Sequence, residues 1–140
     1  FNNRLDDKNR IRIPAKFKAE LGADYKFVFG PGNSIYVMPQ REYRKILDEF
    51  GEASFFDEEA QNAIASFTGM VYDVTEDNQG RVVIPAELKE YAHIDKEIVI
   101  TGAASYLRIE AAEEFAKKNA NMNVGSVFAR LNGLRKAKND

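Results

Sequence analysis

Asp77-Asn78-Gln79-Gly80-Arg81-Val82-Val83-Ile84-Pro85-Ala86-Glu87-Leu88-Lys89 decides the fold, because a second version of it stands 71 residues earlier as Asp6-Asp7-Lys8-Asn9-Arg10-Ile11-Arg12-Ile13-Pro14-Ala15-Lys16-Phe17-Lys18. The same shift also places Asp24 on Asp95, Val28 on Val99 and Ser34 on Ser105, giving nine identities over the 33 positions 6–38 without a gap. Ile11/Val82, Phe17/Leu88, Phe27/Ile98 and Phe29/Ile100 are conservative pairs. A fixed-period self-match of this kind marks an internal duplication.

Each copy reads alike. A short strand enters a polar turn, and a β-branched segment follows, Ile11–Ile13 or Val82–Ile84. Pro-Ala then opens a helix, where a missing N–H costs no hydrogen bond, predicting helices over Ala15–Leu21 and Ala86–Ala92. Two strands complete the copy, Phe27–Phe29 with Ile35–Met38 and Ile98–Ile100 with Tyr106–Ile109. Asn9 aligns with Gly80, and both residue types tolerate a left-handed backbone, so the turn is expected to need φ > 0 just before its Arg.

Outside the copies the apolar period becomes helical. Tyr43, Ile46, Leu47 and Phe50 lie on one face of 40–50, and Ala60, Ala63, Ile64 and Phe67 on one face of 57–68. A further helix is predicted over 111–119, and another after Asn123 with Val124, Val127, Phe128 and Leu131 aligned. These stripes are expected to serve a core or a subunit contact, with 57–68 and 124–131 the candidates for the latter. The tail Arg135–Lys138 is expected to be frayed. The division is 1–51 for the first repeat with its helix, 52–70 for a connecting helix, 71–121 for the second repeat and 122–140 for a C-terminal helix and tail. Halves of roughly 50 residues are too small to be comfortable alone, so the two are expected to share a core about a pseudo-twofold axis.

Composition narrows the function. The chain has 140 residues, net charge −2, no Cys and one His. Disulfides, thiolate metal sites and Cys nucleophiles are excluded, and His93 alone cannot supply a poly-His site. No apolar run approaches the roughly 18–20 residues of a membrane span, and no secretory signal pattern is present, although the sequence opens at Phe1 and a preceding segment is allowed for. A cytoplasmic location is the default expectation. Charge is uneven: residues 1–18 carry six cations against two carboxylates, and residues 73–90 two cations against five. The basic end belongs to the first copy.

The two Asp-x-x-Gly/Asn-Arg segments, 77–89 and 6–17, resemble the recognition segment of the AbrB-type swapped-hairpin DNA-binding fold. With both copies in one chain and helices between, nearly the whole sequence resembles the MraZ family of bacterial transcriptional regulators linked to the division and cell-wall gene cluster. The resemblance implies an α+β fold of two tandem swapped hairpins around a barrel-like core with flanking helices. It further implies a ring-like homo-oligomer in the nucleoid that binds short repeated promoter boxes on double-stranded DNA. Asp6, Lys8 and Arg10 fall on the first family motif and Asp77, Gly80 and Arg81 on the second. Asn9 stands where the family usually has Gly.

The residues themselves carry a compatible chemistry. Arg can contact guanine through two bonds, whereas Lys mainly neutralises phosphate. Arg10 and Arg12 flank Ile11 on a strand and so point to one face. With Lys8 in the turn they form a cationic tip, and Arg4 and Arg81 complete the candidate DNA-binding set. Asp6 and Asp77 are expected to close their turns, with Asn9 and Gly80 supplying the bend. Acidity around Arg81 makes its share the smaller expectation. No enzyme is expected: Glu58/Glu59 and Glu113/Glu114 are neighbours that do not share a helix face, and no phosphate loop, metal site or cofactor motif is evident. His93, aligned with Gly22, reads as a cap or packing residue. The alternative function is an antitoxin-like or other protein-interaction module on the same fold. Specific DNA binding without a partner separates the two.

Overall fold

The computed structural model describes residues 1–139. In chain order the elements are β1 (Asn2–Arg4), β2 (Arg10–Arg12), α1 (Ala15–Leu21), β3 (Tyr25–Gly30), β4 (Ser34–Pro39), α2 (Gln40–Phe50), α3 (Glu58–Gly69), β5 (Tyr72–Asp73), β6 (Arg81–Val83), α4 (Ala86–Tyr91), β7 (Glu97–Ala103), β8 (Tyr106–Ala111), α5 (Ala112–Asn119) and α6 (Val124–Asn139). The chain is α+β, and all its strand pairs are antiparallel.

Six strands form one sheet in the order β1-β7-β8-β4-β3-β5, and β2 pairs with β6 in a separate ladder. The first strand of each repeat is therefore given to the other: β1 lies on β7, and β5 lies on β3. The β2–β6 ladder also crosses between repeats, with Ile11 opposite Val82, Arg10 opposite Val83 and Arg12 opposite Arg81. Exchanging the two repeats leaves this register unchanged, since Arg10 is the counterpart of Arg81 and Arg12 of Val83.

Strand alternation explains which side is buried. Ile11, Ile13, Val82 and Ile84 are 1–3% exposed and enter the core, while Arg12 and Val83 face out. The same core takes Phe27, Ile35, Leu88, Ile98, Ile100 and Ile109, drawn from both repeats. Neither half could close this core alone. On the other side of β3 and β4, Val28, Met38 and Tyr43 form a smaller cluster with Phe67 of α3 packed against it. The stripe of α3 is thus partly used within the chain.

One helical expectation changes and another holds. The tail over Arg135–Lys138, expected to fray, lies within α6, and its side chains are exposed from Val124 to Lys138. His93, two residues past α4 and expected to cap or pack, has φ 58°, as its counterpart Gly22 directly after α1 has φ 74°. Both positions end a helix in the left-handed region, and His93 Nδ1 lies 3.3 Å from Glu114 Oε1.

Candidate nucleic-acid interface

The two turns are built from the same bonds. In the first, the Asp6 N–H donates to Arg10 O at 3.1 Å and the Asn9 N–H to Asp6 O at 3.0 Å; in the second, Asp77 to Arg81 O at 2.8 Å and Gly80 to Asp77 O at 3.0 Å. Asp6 Oδ1 accepts the backbone N–H groups of Lys8 and Arg10, each at 2.9 Å, and Oδ2 accepts Arg10 Nε at 2.7 Å. Asp77 Oδ1 accepts Gln79 and Arg81 N–H at 2.9 Å, and Oδ2 accepts Arg81 Nε at 2.8 Å. Asn9 has φ 58° and Gly80 φ 74°. Only a residue that tolerates this conformation lets the chain double back so that one carboxylate reaches both amides.

The carboxylates titrate accordingly. Desolvation pushes the Asp6 carboxyl up, but the backbone and side-chain bonds from Arg10 and the amide of Lys8 outweigh it, leaving the group at about 2. The backbone bond from Arg81 holds Asp77 below the ordinary carboxylate range, against a smaller opposing effect of desolvation. Each Asp therefore stays ionised and fixes its Arg through Nε. The outer nitrogens of the guanidinium then point from a defined position.

The β2–β6 ladder joins the two turns into one surface. Arg4, Arg10, Arg12 and Arg81 line a cleft of roughly 290 Å³ together with Asn3 and Asp6. Arg12 Nε donates to Gln79 O of the opposite turn at 3.0 Å, and Asn3 Nδ2 donates to Arg12 O at 3.3 Å. Arg4 pairs with Glu97 in an exposed bridge at 2.6 Å, a contact of little energetic weight. Lys8 stands exposed on the turn beside the cleft.

The acidic residues near the second turn are engaged elsewhere. Glu76 takes Lys18 Nζ at 2.8 Å and the Tyr25 hydroxyl at 2.9 Å; Asp73 takes Lys26 at 2.6 Å; Glu87 takes the Tyr72 hydroxyl at 2.7 Å. Of the five carboxylates in 73–90, Glu76 and Asp73 are thus paired with lysines and Asp77 with Arg81 itself, which lies directly across from Arg12. Gln79 and Asn3 were not singled out from sequence. Their contribution depends on the cross-repeat register, which no local pattern encodes.

Two copies of one strand–turn–strand unit, crossed over each other so that their Arg-bearing turns meet, define a duplicated swapped-hairpin protein. The sequence model of one family, described as "MraZ protein, putative antitoxin-like", matches twice, over residues 1–64 and 67–131. The chain belongs to the MraZ family. Its relatives include proteins named transcriptional regulator MraZ from Clostridium tetani, 31% identical over 96% of this chain and 95% of the relative, and from Syntrophomonas wolfei, 35% identical over 86% and 85%. Another from Carboxydothermus hydrogenoformans is 33% identical over 81% and 79%.

Proposed function

We propose that this chain is a sequence-specific DNA-binding transcriptional regulator of the division and cell-wall gene cluster, acting at short repeated promoter boxes as a ring-like homo-oligomer in the nucleoid. The observation that carries the reading is the meeting of Arg4, Arg10, Arg12 and Arg81 on one cleft, two of them oriented by carboxylates. Arg10 and Arg81 are suited to reading guanine edges, and Lys8, Arg4 and Arg12 to holding phosphate. The naming of the relatives as transcriptional regulators supports it. The swapped pairing supports a barrel-like core about a pseudo-twofold axis, with 1–51 and 71–121 as the repeat units.

A single cleft with few cations binds DNA weakly and with strong salt dependence. Several clefts on one assembly raise avidity by about 10²–10⁴ when their boxes can be reached together. A spacing series tests this: tandem boxes are expected to bind far more tightly than one, and the gain to vanish when spacing shifts by half of the helical turn of about 10–10.5 base pairs. Equal affinity for one box and several overturns the mechanism. The antitoxin-like description of the family supplies the competing reading. It predicts that specific DNA binding requires a second protein, whereas the regulator reading has the purified chain bind alone.

A further inference from the structure

Two apolar features lack cover among the described residues. Phe55 and Phe56, in the loop between α2 and α3, are 81% and 92% exposed, with their rings edge to face at 5.4 Å. Along α6, Val124, Val127, Phe128, Leu131 and Leu134 are 44–62% exposed. A helix of this length without a packing partner is marginal in water, and Gly125 and Gly133 weaken it further. Where α5 turns into α6, Met122, Val127 and Leu131 line a groove of roughly 480 Å³, with Lys118 and Arg130 among its polar walls.

The charges of the two features are opposite. The loop and first turn of α3 carry Glu52, Asp57, Glu58 and Glu59 with no cation between 51 and 69. From 124 to 138 the helix carries Arg130, Arg135, Lys136 and Lys138 with no acid. None of these eight residues makes an ion pair among the described residues.

We propose that the Phe55–Phe56 knob of one copy seats in the Met122–Leu131 groove of the next, with Glu58 and Glu59 against Arg130. The inference rests on the homo-oligomer of the proposed function and names its interface. Knob and groove are different surfaces, so the contact is head-to-tail and builds a ring where its rotation closes. Aromatic anchors in a pocket with a charged rim are the usual seat of interface energy.

The chain has no cysteine, which gives a clean test. Phe56→Cys and Val127→Cys proteins, mixed and oxidised, are expected to give a disulfide-linked dimer that neither gives alone. Absence of that dimer, the same dimer from either protein alone, or a double variant that bridges only within one chain overturns the proposal. Light scattering supplies the second arm. Arg130→Glu is expected to raise the dissociating concentration about tenfold or more, and Glu58→Lys with Glu59→Lys to restore assembly in the same chain. Assembly that ignores Arg130→Glu, or no restoration, overturns it, as does a wild-type chain that is monomeric throughout. Single-box DNA binding, measured in parallel, is expected to survive in every variant. Its loss from the wild type would refute the DNA reading while leaving the interface result to stand by itself.

Discussion

At positions 8, 10 and 12 the first turn and its strand carry Lys, Arg and Arg, and at 79, 81 and 83 the second carries Gln, Arg and Val. The bonds beneath are the same in both: one carboxylate, two amides, one guanidinium Nε and one left-handed residue. What differs is what stands on that frame. The first turn has flanking charge, and the second has a neutral amide and a Val83 that is 56% exposed. The shared part is the turn and its oriented Arg; the variable part is the cationic charge beside it. On the proposed function, the two turns would be geometrically equal reading heads with the electrostatic attraction concentrated on one.

The largest expected effect separates reading from attraction. Arg10→Ala should weaken specific binding by about 1–3 kcal/mol and relax the preference at its base, and Arg81→Ala should lose an amount of the same order. A quantitative binding assay on matched and mismatched boxes checks both. If Arg10→Ala is costly and Arg81→Ala silent, the second turn is a structural copy and the comparison fails. Next in size is the backbone: Gly80→Ala should destabilise the fold by about 1–2 kcal/mol, because Ala must hold φ 74°, read from urea unfolding. Its added Cβ would meet only Lys18 Nζ at 3.5 Å, so the loss comes from the local backbone conformation and not from tertiary clash. Asn9→Gly should move stability by less than 1 kcal/mol, since Asn already tolerates that region.

Charge transfer between the turns sharpens the comparison. Lys8→Gln should flatten the dependence of log affinity on log salt by about one unit, and Gln79→Lys with Val83→Arg should steepen it by about two. A slope unmoved by the second pair would place the phosphates away from the second turn. The smallest effect is on pH. Asp6 is lowered from 3.8 to about 2 on folding, so its contribution to stability is complete above pH 3.8 and is lost as pH falls toward 2. Carbon-detected NMR of the Asp6 carboxyl should find its midpoint near 2; a midpoint at 3.8 would mean the turn bonds are not formed.

Much of this was legible because it is local. The repeat shows as a gapless self-match, and the Pro-opened helices and the left-handed turn residues Asn9 and Gly80 each lie within a few residues, where propensity and turn chemistry act. The pairing of β1 with β7 and of Arg12 with Arg81 was not legible residue by residue, because cross-repeat register comes from a core shared by Ile11, Val82 and Ile98. The surroundings of Glu76, close to Arg81, were not legible for a related reason. Lys18 and Tyr25 are distant in sequence from Glu76 yet bind it, so a linear charge count could not discount it. The tail, expected to be frayed, continues as helix, since Arg, Lys and Ala are good helix formers.

The proposed function makes the first turn and the crossed ladder the DNA-binding surface. Its most direct test is a salt titration of binding to the DNA upstream of the chain's own gene, comparing wild type with the Lys8→Ala, Arg10→Ala double variant after confirming that both are folded. Lower affinity, with a salt slope reduced by about one unit or more, is the predicted result. Unchanged affinity and an unchanged slope would contradict it and place the DNA site elsewhere on the molecule.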